Sequence, residues 1–453
     1  MTASSPVFWQ VSTQAEFLRG EVDALSVDDE GRLRLGPATD TVIETPEPAL
    51  WSLARAADGA LWMGSGTDGR LYRLGADGTG TVVLDADELD VHALTADREG
   101  GVYAGTSPGG RVYRVTAAGE ATVVFDPEET YIWALALDGD GALHVATGNP
   151  ARVYRLPAGG APALLYASDA AHVLSLAVAG DGSLLAGTES PGQVLRIDAT
   201  GRAFVLLDAP FEEIRSLRPQ PDGSLLAVAV SGQPAPGAAA TPAPAPAAAP
   251  VPTVSVTTSV TAVVVGGTAT PAATAASTTP AAGGGEKGAV YHITADGLWD
   301  RLWRSRLDTP FDAAFDDRGT LVVGTGPNGK VYRVAGDPPR TVLSGQAPAR
   351  QVTRLLPATD GSLWYATANP GKVMRTAGGL APRGTYESEV HDAGAAARWG
   401  AIRWRGATPP GGRIELASRS GNTAIPNDTW SPWSDAYTAA AGSPIASPNA
   451  RYL

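Results

Sequence analysis

VHALTADREGGVYAGTSPGGRVYRVTAAGEATVVF, residues 91–125, is the stretch that decides the fold. It breaks into four short segments, VHALTAD, GVYAGTS, RVYRVT and ATVVF, each rich in β-branched and aromatic residues. Apolar and polar positions alternate within them, as half-buried strands require, and the breaks carry the Gly and Asp that tight turns need. No window of the chain carries a convincing helical stripe,.

Outward from this stretch the same unit recurs. The glycine that closes its first turn, Gly100, has counterparts at Gly59, Gly141, Gly182, Gly223, Gly319 and Gly361. The spacing is 41 four times and 42 at the end; the one exception, 96, is 41 plus an insertion of 55. Six residues before the glycine stands Leu53, Leu94, Leu135, Leu176, Leu217, Ala313 or Leu355. Fourteen after it stands Arg73, Arg114, Arg155, Arg196, Arg333 or Arg375, with His292 in the lengthened unit. Four-stranded units at this period stack radially, so the chain reads as all-β, a seven-bladed β-propeller over 46–378. TVIET (41–45) aligns with the fourth strand that the last unit lacks, and closes the ring from the N-terminal segment 1–45,. VDALSVDDEGRLRLG (22–36) looks like one more strand pair and keeps an eight-bladed ring as the alternative.

DGALWMGSGTDGRLYRL (58–74) and RGTLVVGTGPNGKVYRV (318–334) resemble bacterial propellers of the NHL and two-component-regulator type. That resemblance speaks to architecture; propellers host many activities. TYESEVHDAG, RSGNTAIPNDTWSPWSDA and ARYL, within 384–453, resemble a bacterial jelly-roll-type β-sandwich appended to extracellular proteins. It implies an extracellular or periplasmic setting and a partial antiparallel sandwich, since a further strand normally follows. WSPWS (430–434) also matches the Trp-Ser-x-Trp-Ser pattern of cytokine-receptor sandwiches, with Arg403, Arg405, Arg413 and Arg419 as stacking partners,.

Residues 232–286 interrupt one unit between its second and third strands. Ala, Pro, Thr and Gly dominate them, a composition that buries little apolar surface and predicts a disordered loop,. The units on either side stay in phase, so this is an insertion within the propeller.

A net charge of −13 argues against a nucleic-acid partner,. The chain has no cysteine, which removes disulfides, thiolate nucleophiles and cysteine-bound metals,. MTASSPVFWQVSTQ shows no signal-peptide pattern and no apolar run reaches the length of a membrane span,. A monomer is expected.

Eight residues before each turn glycine the identity varies freely: Trp51, His92, Trp133, Leu174, Arg215, Phe311, Thr353. Varied residues on a repeated frame are where specificity belongs. The loops before the first strands are acidic and carry Glu129, Tyr131, Phe211 and Glu213. Trp51, His92, Glu129, Tyr131, Trp133, Phe211, Glu213, Arg215 and Phe311 are therefore the expected ligand-binding residues. Acid with aromatic suits sugars, cations or basic peptides. The arginines fourteen after the glycine lie far from the axis and are expected to join neighbouring blades.

The expected function is a non-enzymatic binding or assembly module for a polysaccharide, peptide or protein. The alternative is a metal-dependent enzyme resembling gluconolactonase-type hydrolases or virginiamycin B lyase-type lyases. His92 and His172, with Asp90, Glu129 and Glu213, would then supply the ligands, and Ca²⁺ is the ion such carboxylates suit. No motif of either family matches residue by residue, so no catalytic residue and no resident cofactor are assigned.

Overall fold

A computed structural model of the chain describes residues 7–75, 78–232, 285–408 and 410–453. Its regular secondary structure is almost all strand; the one helix among the described residues is Gln14–Phe17, capped reciprocally by Thr13 and Glu16. The chain is a β-propeller. Each unit is an antiparallel meander of four strands, lettered A to D outward. In the first unit these are Ala49–Arg55, Leu61–Gly66, Arg70–Leu74 and Gly80–Asp85. The other A strands are Asp90–Ala96, Tyr131–Leu137, His172–Val178, Glu213–Pro219, Thr309–Phe315 and Gln351–Pro357. Each A strand touches the A strand of the next unit, and the seventh touches the first, so among the described residues seven A strands ring the axis.

The local cause of the period is visible at each A–B turn. All seven turn glycines hold φ between +72° and +89°, a region closed to most side chains,. An aspartate one or three residues before each glycine caps the turn, as Asp58 Oδ1 does for the Ala60 N–H at 2.9 Å and Asp97 Oδ1 for the Gly101 N–H at 2.7 Å,. The same aspartates hold the strand-C arginines: Arg73 to Asp58 at 3.0 Å, Arg114 to Asp97 at 3.2 Å, Arg375 to Asp360 at 3.0 Å. These pairs lie within one unit, which corrects the expectation that the arginines join neighbouring blades. Joining is done by strand A: Ser52 Oγ donates to Val91 O, Ser175 Oγ to Ile214 O and Thr353 Oγ1 to Leu50 O. Apolar clusters fill the spaces between units, such as Trp62 and Leu71 against Val91, Val102 and Ala104.

The ring closes through the N-terminal segment. Pro37–Glu44 pairs with Lys372–Leu380 and supplies the seventh unit's D strand. The strand pair Leu25–Val27 and Leu33–Leu35 adds outside the sixth unit's D strand, Arg340–Gln346, with Val27 opposite Leu343. It makes no separate blade; its apolar side chains extend an existing sheet. The fifth unit carries the insertion. Its B strand Leu225–Val230 and C strand Gly288–Ile293 pair without a break, and Ser231 Oγ donates to Glu286 O at 2.8 Å. The residues 233–284, for which disorder was expected, lie outside the described residues.

Beyond the propeller the described residues pair only in short pieces, and the expected sandwich is not shown. Strands Asp392–Ala397 and Ala450–Tyr452 pair, and so do Ala401–Ile402 and Ser443–Pro444. The stretches RIELASRSGN and WSDAYTA contribute single bridges, Leu416 to Tyr437 and Gly421 to Tyr452. Few of the described side chains here are buried, Trp430 and Tyr437 among them, so among the described residues no second sheet face is covered,. Of the four candidate arginines, Arg419 stacks on the Trp-Ser-Pro-Trp-Ser pair, 4.4 Å from Trp433 and 5.8 Å from Trp430. This segment docks on the N-terminus through Thr385–Glu387 pairing with Glu21–Asp23.

Candidate functional site

In every unit the A strand slips register against strand B at one place, between Leu50 and Ser52 in the first unit, for example. The residue skipped is Trp51, His92, Trp133, Leu174, Arg215, Phe311 or Thr353, seven times out of seven. The variable position is therefore a β-bulge. A bulge leaves its extra residue outside the ladder and re-aims the side chain. Here all seven lie near the start of strand A, at one mouth of the channel.

The first four units build an aromatic arc. Trp51 stacks on His92 with centroids 5.6 Å apart and 20° between planes. His92 meets Trp133 edge-on at 4.9 Å. Trp133 stacks on Tyr131 at 5.1 Å and 17° and crosses His172 at 88°. The Trp133 indole N–H donates to His172 Nδ1 at 3.0 Å. Asp90 anchors the arc, with Oδ1 accepting from the Thr67 N–H at 3.2 Å and Oδ2 3.7 Å from His92 Nε2. Burial, the largest single influence, pushes the Asp90 carboxyl up, but the hydrogen bond and charge of His92, with the Thr67 N–H and Trp51, together outweigh it and the net shift is down. Burial lowers His172 below its ordinary value, against the pull of Glu213, so its neutral form is favoured.

Glycines make this arc possible. A Cβ on Gly66 would stand 2.2 Å from Trp51 Nε1, one on Gly148 2.4 Å from Trp133 Nε1, and one on Gly326 3.0 Å from Phe311 Cε2. The corresponding strand-B residues of the other four units are Ser107, Glu189, Val230 and Ala368. Glycine thus occurs where the bulged residue is Trp or Phe, a covariation within one chain that singles out these rings from the sequence alone.

The opposite side of the mouth is charged. Arg215 Nη2 pairs with Glu213 Oε2 at 2.5 Å and lies over the Phe311 ring at 4.9 Å. Glu189 pairs with Glu213 across adjacent strands. Burial raises the Glu189 carboxyl, the Glu213 charge adds to this, and Arg215 opposes it.

Two of the nine expected residues fall elsewhere. Glu129, 1% exposed in its side chain, accepts from Arg152 Nη1 at 2.8 Å and from the Tyr154 hydroxyl at 2.7 Å. The pattern repeats at Glu47 with Arg70 and Tyr72, Glu88 with Arg111 and Tyr113, and Asp308 with Lys330 and Tyr332. Phe211 fills the same buried slot in the fifth unit, edge-on to Tyr291 at 6.4 Å. Both are framework residues because a carboxylate or ring at this place is covered by the C strand of its own unit. Much of the rim's acidity is thereby matched by arginine. Trp51, His92, Tyr131, Trp133, Glu213, Arg215 and Phe311 share the mouth. Among the described residues no group of three or more His, Asp and Glu comes together in a metal-binding arrangement, and no helix is long and apolar enough to cross a membrane.

No protein-family model and no curated protein matches the chain. Its fold is similar to a streptogramin B lyase, with a TM-score of 0.56 at 12% identity over 78% of this chain and 98% of that one. It is similar to the extracellular domain of a putative hybrid two-component system from B. thetaiotaomicron, with a TM-score of 0.51 at 12% identity, over 81% of this chain and 43% of that one. The WD40 β-propeller domain of Doa1 gives 0.51 at 11% identity over 75% and 97%. At such identities the likeness is one of fold.

Proposed function

We propose that the chain is a non-enzymatic binding module that receives a polysaccharide, peptide or protein segment at the bulged mouth of its propeller, outside the cytoplasm. The observation that carries this reading is the bulge itself. One position per unit is lifted out of the ladder, and at four consecutive units it and its neighbours present Trp51, His92, Trp133, Tyr131 and His172 as a continuous surface. Flat rings at the edge of a channel suit sugar faces and aromatic or proline-bearing peptides; an aromatic–aromatic contact is worth about 0.5–1.5 kcal/mol beyond the area it buries. The extracellular propellers among the similar folds support the setting.

Glycan and peptide arrays probed with the full chain test the reading. Trp51→Ala and Trp133→Ala are expected to abolish capture while keeping the thermal midpoint within a few degrees. Capture that survives both changes overturns it. Thermal unfolding with Ca²⁺, Mn²⁺ or Zn²⁺ separates the module from a metal-dependent lactonase or lyase. A metal-specific rise reversed by EDTA would favour the enzyme.

A further inference from the structure

Below the mouth, the residue seven before each turn glycine stands on the inner strand. The first four units place Ser52, Ala93, Ala134 and Ser175 there. The last three place Ser216, Asp312 and Arg354, and Arg218 follows Ser216 by two. Arg218 Nη2 donates to Leu355 O, in the seventh unit, at 2.5 Å. A side chain that joins units two apart crosses the inner face of the sixth, so this guanidinium lies in the channel. There it pairs with Asp312, whose side chain is 0% exposed and also accepts from Ser216 Oγ at 2.7 Å and from the Leu355 N–H at 2.9 Å. Arg218 is thus committed to Asp312, as Arg215 is to Glu213.

Arg354 is different. Its Nε donates to Trp51 O at 3.3 Å, which ties it to the backbone of the residue that carries the first ring of the arc. Among the described residues no carboxylate pairs with it; Asp312, the nearest acidic influence, is held by Arg218. An arginine side chain keeps its proton in any folded protein. A half-buried guanidinium without its own counter-charge is costly unless an anion or ordered water meets it. Burial holds Arg354 below the ordinary arginine range against the pull of Asp312, and Arg218 and Arg215 push the same way as burial.

We propose that Arg354 anchors an anion site in the channel, taking a carboxylate or phosphate group of the ligand whose rings rest on the mouth. The proposal rests on the binding reading above and adds the chemical class of the ligand: it carries an oxyanion at the end that enters. The planar guanidinium suits either group, because its N–H pairs match two oxygens at once.

Calorimetric titration of the full chain with acetate and with inorganic phosphate, at constant ionic strength, tests it. One saturable site is expected for at least one anion, weakened tenfold or more by Arg354→Gln and partly retained by Arg354→Lys. Asp312→Asn, which removes the competing charge and frees Arg218, is expected to tighten it. A preference for acetate points to a carboxylate ligand, and a preference for phosphate to a phosphate ester. No saturable binding of either anion, or equal affinity in Arg354→Gln, overturns the site. Small anions do not need the rings, so Trp133→Ala, two units along the arc from the residue that Arg354 contacts, should leave these titrations unchanged even where it abolishes capture on the arrays. Failure of the mouth reading and failure of the anion site therefore give different results.

Discussion

The indole N–H of Trp133 points at Nδ1 of His172 from 3.0 Å, which requires that nitrogen to be an acceptor. The neutral ring must carry its proton on Nε2, and a second proton would set two donors against each other. Burial already keeps His172 below its ordinary value of 6.5, despite the pull of Glu213. Between the depressed value and 6.5 the unfolded chain binds a proton that the folded chain resists, so the contribution is full above 6.5 and is lost as pH falls through the folded value. His144, which burial also lowers against the pull of Asp138, adds in the same sense. The thermal midpoint should fall between pH 7.5 and 5.5, with tryptophan fluorescence changing in the same range. A histidine-resolved NMR titration placing His172 at or above 6.5 would contradict this.

Gly148→Ala should damage the arc without touching the ladder. The new methyl would stand 2.4 Å from Trp133 Nε1 and 2.0 Å from His172 Nδ1, closer than real carbons approach. Both rings must move, at a cost of about 1–3 kcal/mol for an overpacked site. Gly345→Ala, where nothing lies within 4 Å, is the control and should be silent. Denaturant unfolding checks the stability, and near-ultraviolet circular dichroism checks the ring geometry. An unchanged spectrum in Gly148→Ala would remove the steric argument.

How far the sequence reached is clearest residue by residue. The turn glycines, their aspartates and the fourteen-residue offset to arginine follow from local chemistry that every unit repeats, so the units and the closing strand 41–45 were legible. The variable position was legible as a position, but its bulge was not, because it is the third residue of each A strand and too little alternation precedes it to show the change of phase,. Glu129 and Phe211 misled because burial of a loop residue depends on what the C strand of its own unit brings over it. The partner signal was present in Arg152 and Tyr154, and in their counterparts Arg70 with Tyr72 and Arg111 with Tyr113. Arg218, Asp312 and Arg354 also carried a signal: charged side chains at inner positions where other units have Ser, Ala, Thr or Leu. Reading it required knowing that Arg218 reaches a unit two away.

Glu129→Ala should cost stability and spare binding. It removes the acceptor that both Arg152 and Tyr154 use, leaving a buried hydroxyl without its partner. The cost is about 1–3 kcal/mol, discounted on the arginine side because Arg152 is 39% exposed. Denaturant midpoints measure the loss, and the arrays measure capture. Unchanged stability with lost capture would return Glu129 to the binding surface.

Removing residues 1–45 should open the ring. Pro37–Glu44 is the D strand of the seventh unit, with Ile43 opposite Val373 and Thr41 opposite Met374. Without it, Lys372–Leu380 becomes an unpaired edge whose N–H and C=O groups invite another chain. The same truncation strips Leu25–Val27 from the sixth unit's D strand, so Leu343, now wholly buried, loses the Val27 that faces it. The truncated chain should unfold at lower temperature and associate as its concentration rises, by light scattering. A synthetic peptide of residues 37–45 added in trans should restore part of both properties, because the strand acts through pairing and not through covalent continuity. A monomeric truncation with the full-length midpoint would mean that contacts between the first and seventh A strands close the ring unaided, and that the N-terminal strand is dispensable.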